Sequence, residues 1–100
     1  MTLLTEKEYN GIIKSGRSCL ILLYDPSDAR SVIMLETFRR IDKMIGRSFD
    51  VYTVDATAEK EIANVLFMRE APEVVFIADT HIKARSRGIL TENEILRLTR

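Results

Sequence analysis

Leu20-Ile21-Leu22-Leu23-Tyr24 is an unbroken apolar run, Asp25-Pro26-Ser27-Asp28-Ala29-Arg30 follows it as a turn, and a long amphipathic pattern begins near Ser31 and passes through Phe38. An apolar run without alternation reads as a strand covered on both faces. Pro26 biases Asp25 away from helical backbone, and Ser27 or Asp28 can then cap the helix that follows. Along that helix Met34, Phe38, Ile41 and Ile45 recur at steps of four, three and four, joined by Leu35, and draw one apolar stripe. Arg39, Arg40, Asp42 and Lys43 fall mostly on the other side, and Gly46 is the expected C-terminal cap. A strand running through a loop into a helix is where α/β proteins usually place their chemistry. This loop holds no cysteine, no histidine and no glycine-rich phosphate cradle.

Outward from that unit, Phe49 to Val54 is rich in β-favouring residues and reads as a second core strand. The helix between the two strands requires a parallel pair with a right-handed crossover. A third helix is expected from Asp55 or Thr57, with Ile62, Ala63, Leu66 and Phe67 on one face, until Arg69-Glu70-Ala71-Pro72 interrupts it. Glu73 to Ala78 reads as a strand, Ala78-Asp79-Thr80-His81 as a tight turn, and Ile82 to Arg87 as a polar edge strand antiparallel to its predecessor. Upstream, Thr5-Glu6-Lys7-Glu8 is a capping box before a short helix that presents Tyr9, Ile12 and Ile13 on one face and ends near Gly16. Leu3 and Leu4 are expected to add a short edge strand. Thr91-Glu92-Asn93-Glu94 is a second capping box, opening a final helix through Leu98. The fold class is therefore α/β: a four-stranded mixed sheet, with the short extra N-terminal strand, flanked by helices on both faces and formed as one domain over residues 1–100.

Composition narrows the function. Fifteen basic and fifteen acidic residues cancel, which removes the electrostatic footprint of a dedicated nucleic-acid binder. The first residues lack the basic and apolar regions of a signal peptide, and no apolar run approaches the ~20 residues of a membrane span. The single cysteine, Cys19, has no internal disulfide partner. The reading is a cytoplasmic protein without a cofactor.

In their order and spacing these segments resemble the thioredoxin superfamily over nearly the whole chain. The apolar strand, turn and helix at Leu20–Ile45 match. So do Phe49-Asp50-Val51-Tyr52-Thr53-Val54-Asp55, Ala71-Pro72-Glu73-Val74-Val75-Phe76, and Gly88 followed by the capped last helix. Aligned on the helix stripe, Asp28 and Ser31 stand where the family has its Cys-x-x-Cys pair. Ser27 replaces the preceding tryptophan, and Leu22 replaces the buried acid of the strand. Dithiol exchange needs a thiolate activated at the helix N-terminus and a second thiol to resolve the mixed disulfide. Both sulfurs are missing from these positions, so dithiol oxidoreductase activity is not expected.

What the resemblance still implies is the surface around the family's cis-proline. With Pro72 cis, Ala71 would offer its N–H and C=O beside the loop Ser27–Ser31, a small site for pairing with an extended peptide. The expected binding residues are Ser27, Asp28, Ala29, Arg30, Ser31, Ala71, Pro72 and Glu73, with Arg30 and Glu73 supplying charge selectivity and Tyr24 and Met68 bordering the groove. The function expected is a non-catalytic protein-binding or chaperone-like module. The alternative is an accessory role in thiol homeostasis, acting through an exposed Cys19 or by presenting a substrate to a separate reductase. A third is a homodimeric subunit.

Single residues have blander readings beside these. Cys19 lies at the start of a core strand, where packing is favoured over a regulatory thiol. His81 is expected to be a solvated turn residue, with no partner nearby for a triad or metal site. Arg30 opposes the helix dipole unless an anion or acidic peptide binds there, or unless Asp28 or Glu36 pairs with it. Lys83, Arg85 and Arg87 alternate and are expected to point the same way. A guard against edge pairing is favoured for them over a nucleic-acid or acidic-partner patch. Asp25, Asp28, Asp55 and Glu73 are explained by caps and solvated ends.

Overall fold

A computed structural model describes residues 1–45 and 48–100. Its strands are β1 (Thr2–Leu3), β2 (Cys19–Tyr24), β3 (Asp50–Asp55), β4 (Glu73–Ala78) and β5 (His81–Arg87), and its helices are α1 (Glu6–Lys14), α2 (Ala29–Ile45), α3 (Lys60–Val65) and α4 (Glu92–Arg97). The expected cap at Gly46 lies outside the described residues.

The apolar run that opens the reading becomes β2, the central strand of a five-stranded sheet in the order β1-β3-β2-β4-β5. Cys19, Leu20, Ile21, Leu22 and Leu23 are all fully buried, each large aliphatic contributing about 1.5–3 kcal/mol by its transfer from water. β2 pairs in parallel with β3 and antiparallel with β4, and β4 pairs antiparallel with β5. β1 adds a short parallel edge beyond β3, with Thr2 and Leu3 rather than Leu3 and Leu4 in the ladder. Leu4, just past it, still donates its N–H to the Thr53 carbonyl at 2.8 Å while its side chain enters the core.

Alternation along β2 divides the core in two. Cys19, Ile21 and Leu23 meet Tyr9 of α1, Ile62 and Leu66 around α3, and Val75 and Ile77 of β4. Leu20 and Leu22 meet Met34, Phe38 and Ile41 of α2, Ile95 of α4, and Val74 and Phe76 of β4. The α2 stripe is thus the buried face predicted from its spacing. In the second capping box the Glu94 N–H donates to the Thr91 hydroxyl at 3.1 Å and the Thr91 N–H donates to the Glu94 carboxylate at 2.9 Å. In the first, the Glu8 carboxylate accepts from both the Thr5 hydroxyl and the Thr5 N–H.

Three expectations are corrected. α3 begins at Lys60 rather than at Asp55 or Thr57, because the Asp55 carboxylate closes a local turn by accepting from the Thr57 N–H and hydroxyl and from the Ala58 N–H. α3 also ends earlier than its apolar pattern suggested. The Met68 N–H donates to the Ala63 carbonyl at 2.9 Å and the Phe67 N–H to the Asn64 carbonyl at 3.0 Å, a Schellman turn. Phe67 occupies its left-handed position, φ 56°, and swings out to 77% exposure instead of joining the core face. Finally, the β4–β5 turn is Asp79–Thr80, both with positive φ, as a two-residue hairpin needs. His81 is therefore the exposed first residue of β5, opposite Ala78.

Candidate functional site

The loop after β2 is built from its own polar side chains. The Asp25 carboxylate accepts from the Ser27 N–H at 2.9 Å and from the Ser27 hydroxyl at 2.7 Å, and the Asp25 carbonyl accepts from the Asp28 N–H at 3.0 Å. Asp28 caps α2, its carboxylate accepting from the Arg30 N–H at 2.8 Å. Ser31 is fully buried, and its hydroxyl accepts the Asp25 N–H at 3.1 Å. Ser27 and Ala29 are exposed.

Arg30 joins this loop to the segment before β4. Its guanidinium donates to the Asp28 carboxylate at 3.1 Å, to the Glu70 carboxylate at 2.8 Å and to the Ala71 carbonyl at 3.1 Å. The Arg30 guanidinium first, and the Arg30 N–H second, hold the Asp28 carboxyl below its ordinary range. The opposition of Arg30 to the helix dipole is thus answered from within the chain, by Asp28 as expected and by Glu70 rather than Glu36.

The Ala71–Pro72 peptide bond is cis. Pro72 is buried and Ala71 half-buried, on a shallow groove of about 370 Å³ lined by Arg30, Glu70, Ala71, Pro72, Arg87 and Gly88. Among the described residues nothing accepts the Ala71 N–H, whereas its carbonyl is held by Arg30. The structure therefore brings Asp28, Arg30, Ala71 and Pro72 together and turns Ser31 inward. Tyr24 and Met68 pack against the two cores and do not line the groove.

Glu73 sits elsewhere. Its side chain lies on the sheet face covered by α1 and α3, 3% exposed, and its carboxylate accepts from Arg85 at 2.8 and 3.0 Å. The same guanidinium donates to the Leu66 carbonyl at 2.7 Å, tying the end of α3 to the sheet. A carboxylate so paired is a buried structural charge rather than a selectivity element on the Ala71 groove. On β5, the register gains a residue at Phe76/Ile77, so that Ala84 faces Phe76 and Ile82 faces Ile77. Lys83 is the added residue, so the regular alternation joins Arg85 to Arg87 but does not extend to Lys83. Glu70 and Gly88 were not among the expected binding residues, and Arg87 was read only as part of the basic edge strand. They lie 40 to 58 positions from Arg30 along the chain, a separation that no local pattern encodes.

Cys19 is fully buried, and burial first, with the nearby Asp50 charge second, pushes its thiol up to about 11. A buried thiol with a raised pKa is a poor nucleophile, which matches the packing role expected of it. Among the described residues no three metal-ligating side chains come together, and no helix is long and apolar enough to cross a membrane.

No family model matches the chain, and no curated protein matches it in sequence. In architecture it is similar to several solved structures. A chloroplastic thioredoxin z is 14% identical with a TM-score of 0.84, the match covering 98% of this chain and 89% of that one. Thioredoxin Mala s 13 from Malassezia sympodialis is 14% identical with a TM-score of 0.87, covering 99% and 88%. A putative oxidoreductase with a thioredoxin fold is 11% identical with a TM-score of 0.83, covering 100% and 93%. With its parallel β2–β3 unit, antiparallel β4–β5 hairpin and helices on both faces, and with one cysteine where a Cys-x-x-Cys pair needs two, this chain has the thioredoxin fold without the dithiol.

Proposed function

We propose that this protein is a non-catalytic binding module that takes an extended segment of a partner protein at Ala71, in a cytoplasmic setting. The observation that supports it is the meeting of Ala71 with the Asp25–Ser31 loop through Arg30, at a groove where the Ala71 N–H has no acceptor among the described residues. A partner backbone carbonyl would accept that N–H. A partner N–H would reach the Ala71 carbonyl once Arg30 turns back to Asp28 and Glu70, which hold it in either position. Such a module would act as a chaperone-like holder, or would present a bound substrate to a separate reductase. A redox role through Cys19 itself is disfavoured by the burial of that thiol.

The test is capture from the source lysate with wild type and with Ala71→Arg, combined with amide hydrogen exchange at Ala71 in the recovered complex. The reading expects a partner that protects the Ala71 amide and is lost from a folded Ala71→Arg variant. Equal capture by both proteins would refute it. If the recovered species is a second copy of this chain, light scattering will show the dimer.

A further inference from the structure

A second groove, of about 470 Å³, opens on the other side of Arg87 and is lined by Phe67, Arg69, Glu73, Arg85, Ser86 and Arg87. We propose that it binds an acidic, extended peptide segment of a partner protein, laid along the open edge of β5. This goes beyond the Ala71 reading, with which it shares only Arg87.

Charge is the first argument. Glu73 and Arg85 neutralise one another, which leaves Arg69 and Arg87, neither of them in an ion pair with another described residue. The groove therefore carries two uncompensated positive charges, within a chain whose overall charge is zero.

Backbone geometry is the second. β5 is the outermost strand, and the Gly88 N–H donates to the Pro72 carbonyl at 2.9 Å. In an antiparallel ladder hydrogen-bonded pairs alternate, so Val74–Ser86 and Phe76–Ala84 are bonded pairs, while the N–H and C=O groups of Arg85 and Arg87 face the open edge. A strand added there would place every second side chain beside Arg85 and Arg87, on the face they share. Carboxylates are what those positions would select.

Phe67 is the third. Basic residues alone would be explained as a guard against edge pairing. A guard has no use for a phenylalanine that is 77% exposed on the rim of the same groove, in a left-handed position that favours glycine. Arg85, anchored on Glu73, holds the turn that presents it through the Leu66 carbonyl. The aromatic ring gives an acidic peptide an apolar contact that free anions lack.

The experiment is fluorescence anisotropy of the full-length chain with a labelled octapeptide alternating glutamate and threonine and carrying one phenylalanine, against the same peptide with lysine for glutamate. The glutamate peptide is expected to bind about tenfold tighter or more, with Arg69→Glu and Arg87→Glu each weakening it about tenfold. Phe67→Gly should weaken it several-fold while raising the thermal midpoint by about 4–8 °C, since glycine relieves the left-handed turn. Ala71→Arg, which tests the other groove, should leave this affinity undiminished. Equal binding of the two peptides would overturn the proposal. So would unchanged affinity in both arginine variants, absence of saturation by either peptide at about 1 mM, or tighter binding of single-stranded oligothymidine than of the glutamate peptide.

Discussion

Replacing Arg85 by methionine should destabilise the protein far more than replacing the residue it pairs with, Glu73. Glu73 is 3% exposed and receives both of its charged hydrogen bonds from Arg85, so removing Arg85 leaves a carboxylate buried with no donor. Breaking a buried pair in this way costs about 3–5 kcal/mol. The side chain of Arg85 is 31% exposed, so some water can follow its removal, and the lower end, about 3 kcal/mol, applies. Loss of the hydrogen bond to the Leu66 carbonyl adds about 1 kcal/mol.

Against a total of about 5–15 kcal/mol for a domain of this kind, that is a large fraction. Glu73→Leu, by contrast, leaves an arginine at the rim that can turn to solvent, and should cost about 1 kcal/mol. The double replacement Glu73→Leu/Arg85→Met buries apolar groups in place of the pair and should return close to wild type. Urea unfolding measures all three. With a slope of about 1.5 kcal/mol per molar, Arg85→Met should lower the midpoint by about 2–3 M, and the double-mutant cycle should yield a coupling of about 4–5 kcal/mol. Equal costs for the two single variants, or a coupling below about 1 kcal/mol, would refute the picture of a carboxylate that depends on Arg85 alone.

Other outcomes follow from the titrating groups. The Cys19 thiol ionises at about 9.0 in the unfolded chain and at about 11 when folded. The stability tied to it is therefore complete below pH 9 and lost as pH rises through that interval, a change of about 2–3 kcal/mol that Cys19→Ala should remove from the alkaline unfolding profile. Thiol titration at pH 8 should label Cys19 only after denaturation, and rapid labelling of native protein would show that the strand start is open. Asp28 is depressed by Arg30, so its contribution is present above the ordinary carboxylate range and fades as pH falls through its folded value. In Arg30→Ala its NMR-detected titration should move upward, with the thermal midpoint little changed because the cluster is exposed. A static Asp28 curve in that variant would mean that Arg30 does not hold it in solution.

The order of elements was legible because each rests on neighbours in sequence. The unbroken run Leu20–Leu23, the stripe Met34-Phe38-Ile41 and the capping boxes at Thr5 and Thr91 are short-range patterns, and the structure uses them as read. The lack of a second cysteine, and with it of a dithiol, is a property of composition alone. What tertiary structure decided lies in pairs far apart along the chain. Arg30 meets the Ala71 carbonyl 41 positions away, and that contact makes a loop and a proline segment into one groove. Glu73 looked like a surface charge because nothing beside it in sequence shows that Arg85 closes over it twelve positions later. Phe67 continued the apolar face of α3 by spacing, yet hydrogen bonds to Ala63 and Asn64 wind the helix shut first and send the ring to solvent. Periodicity records which side of an element is apolar. Which charges find one another, and where a helix stops short of its own pattern, depend on the packing of the whole sheet.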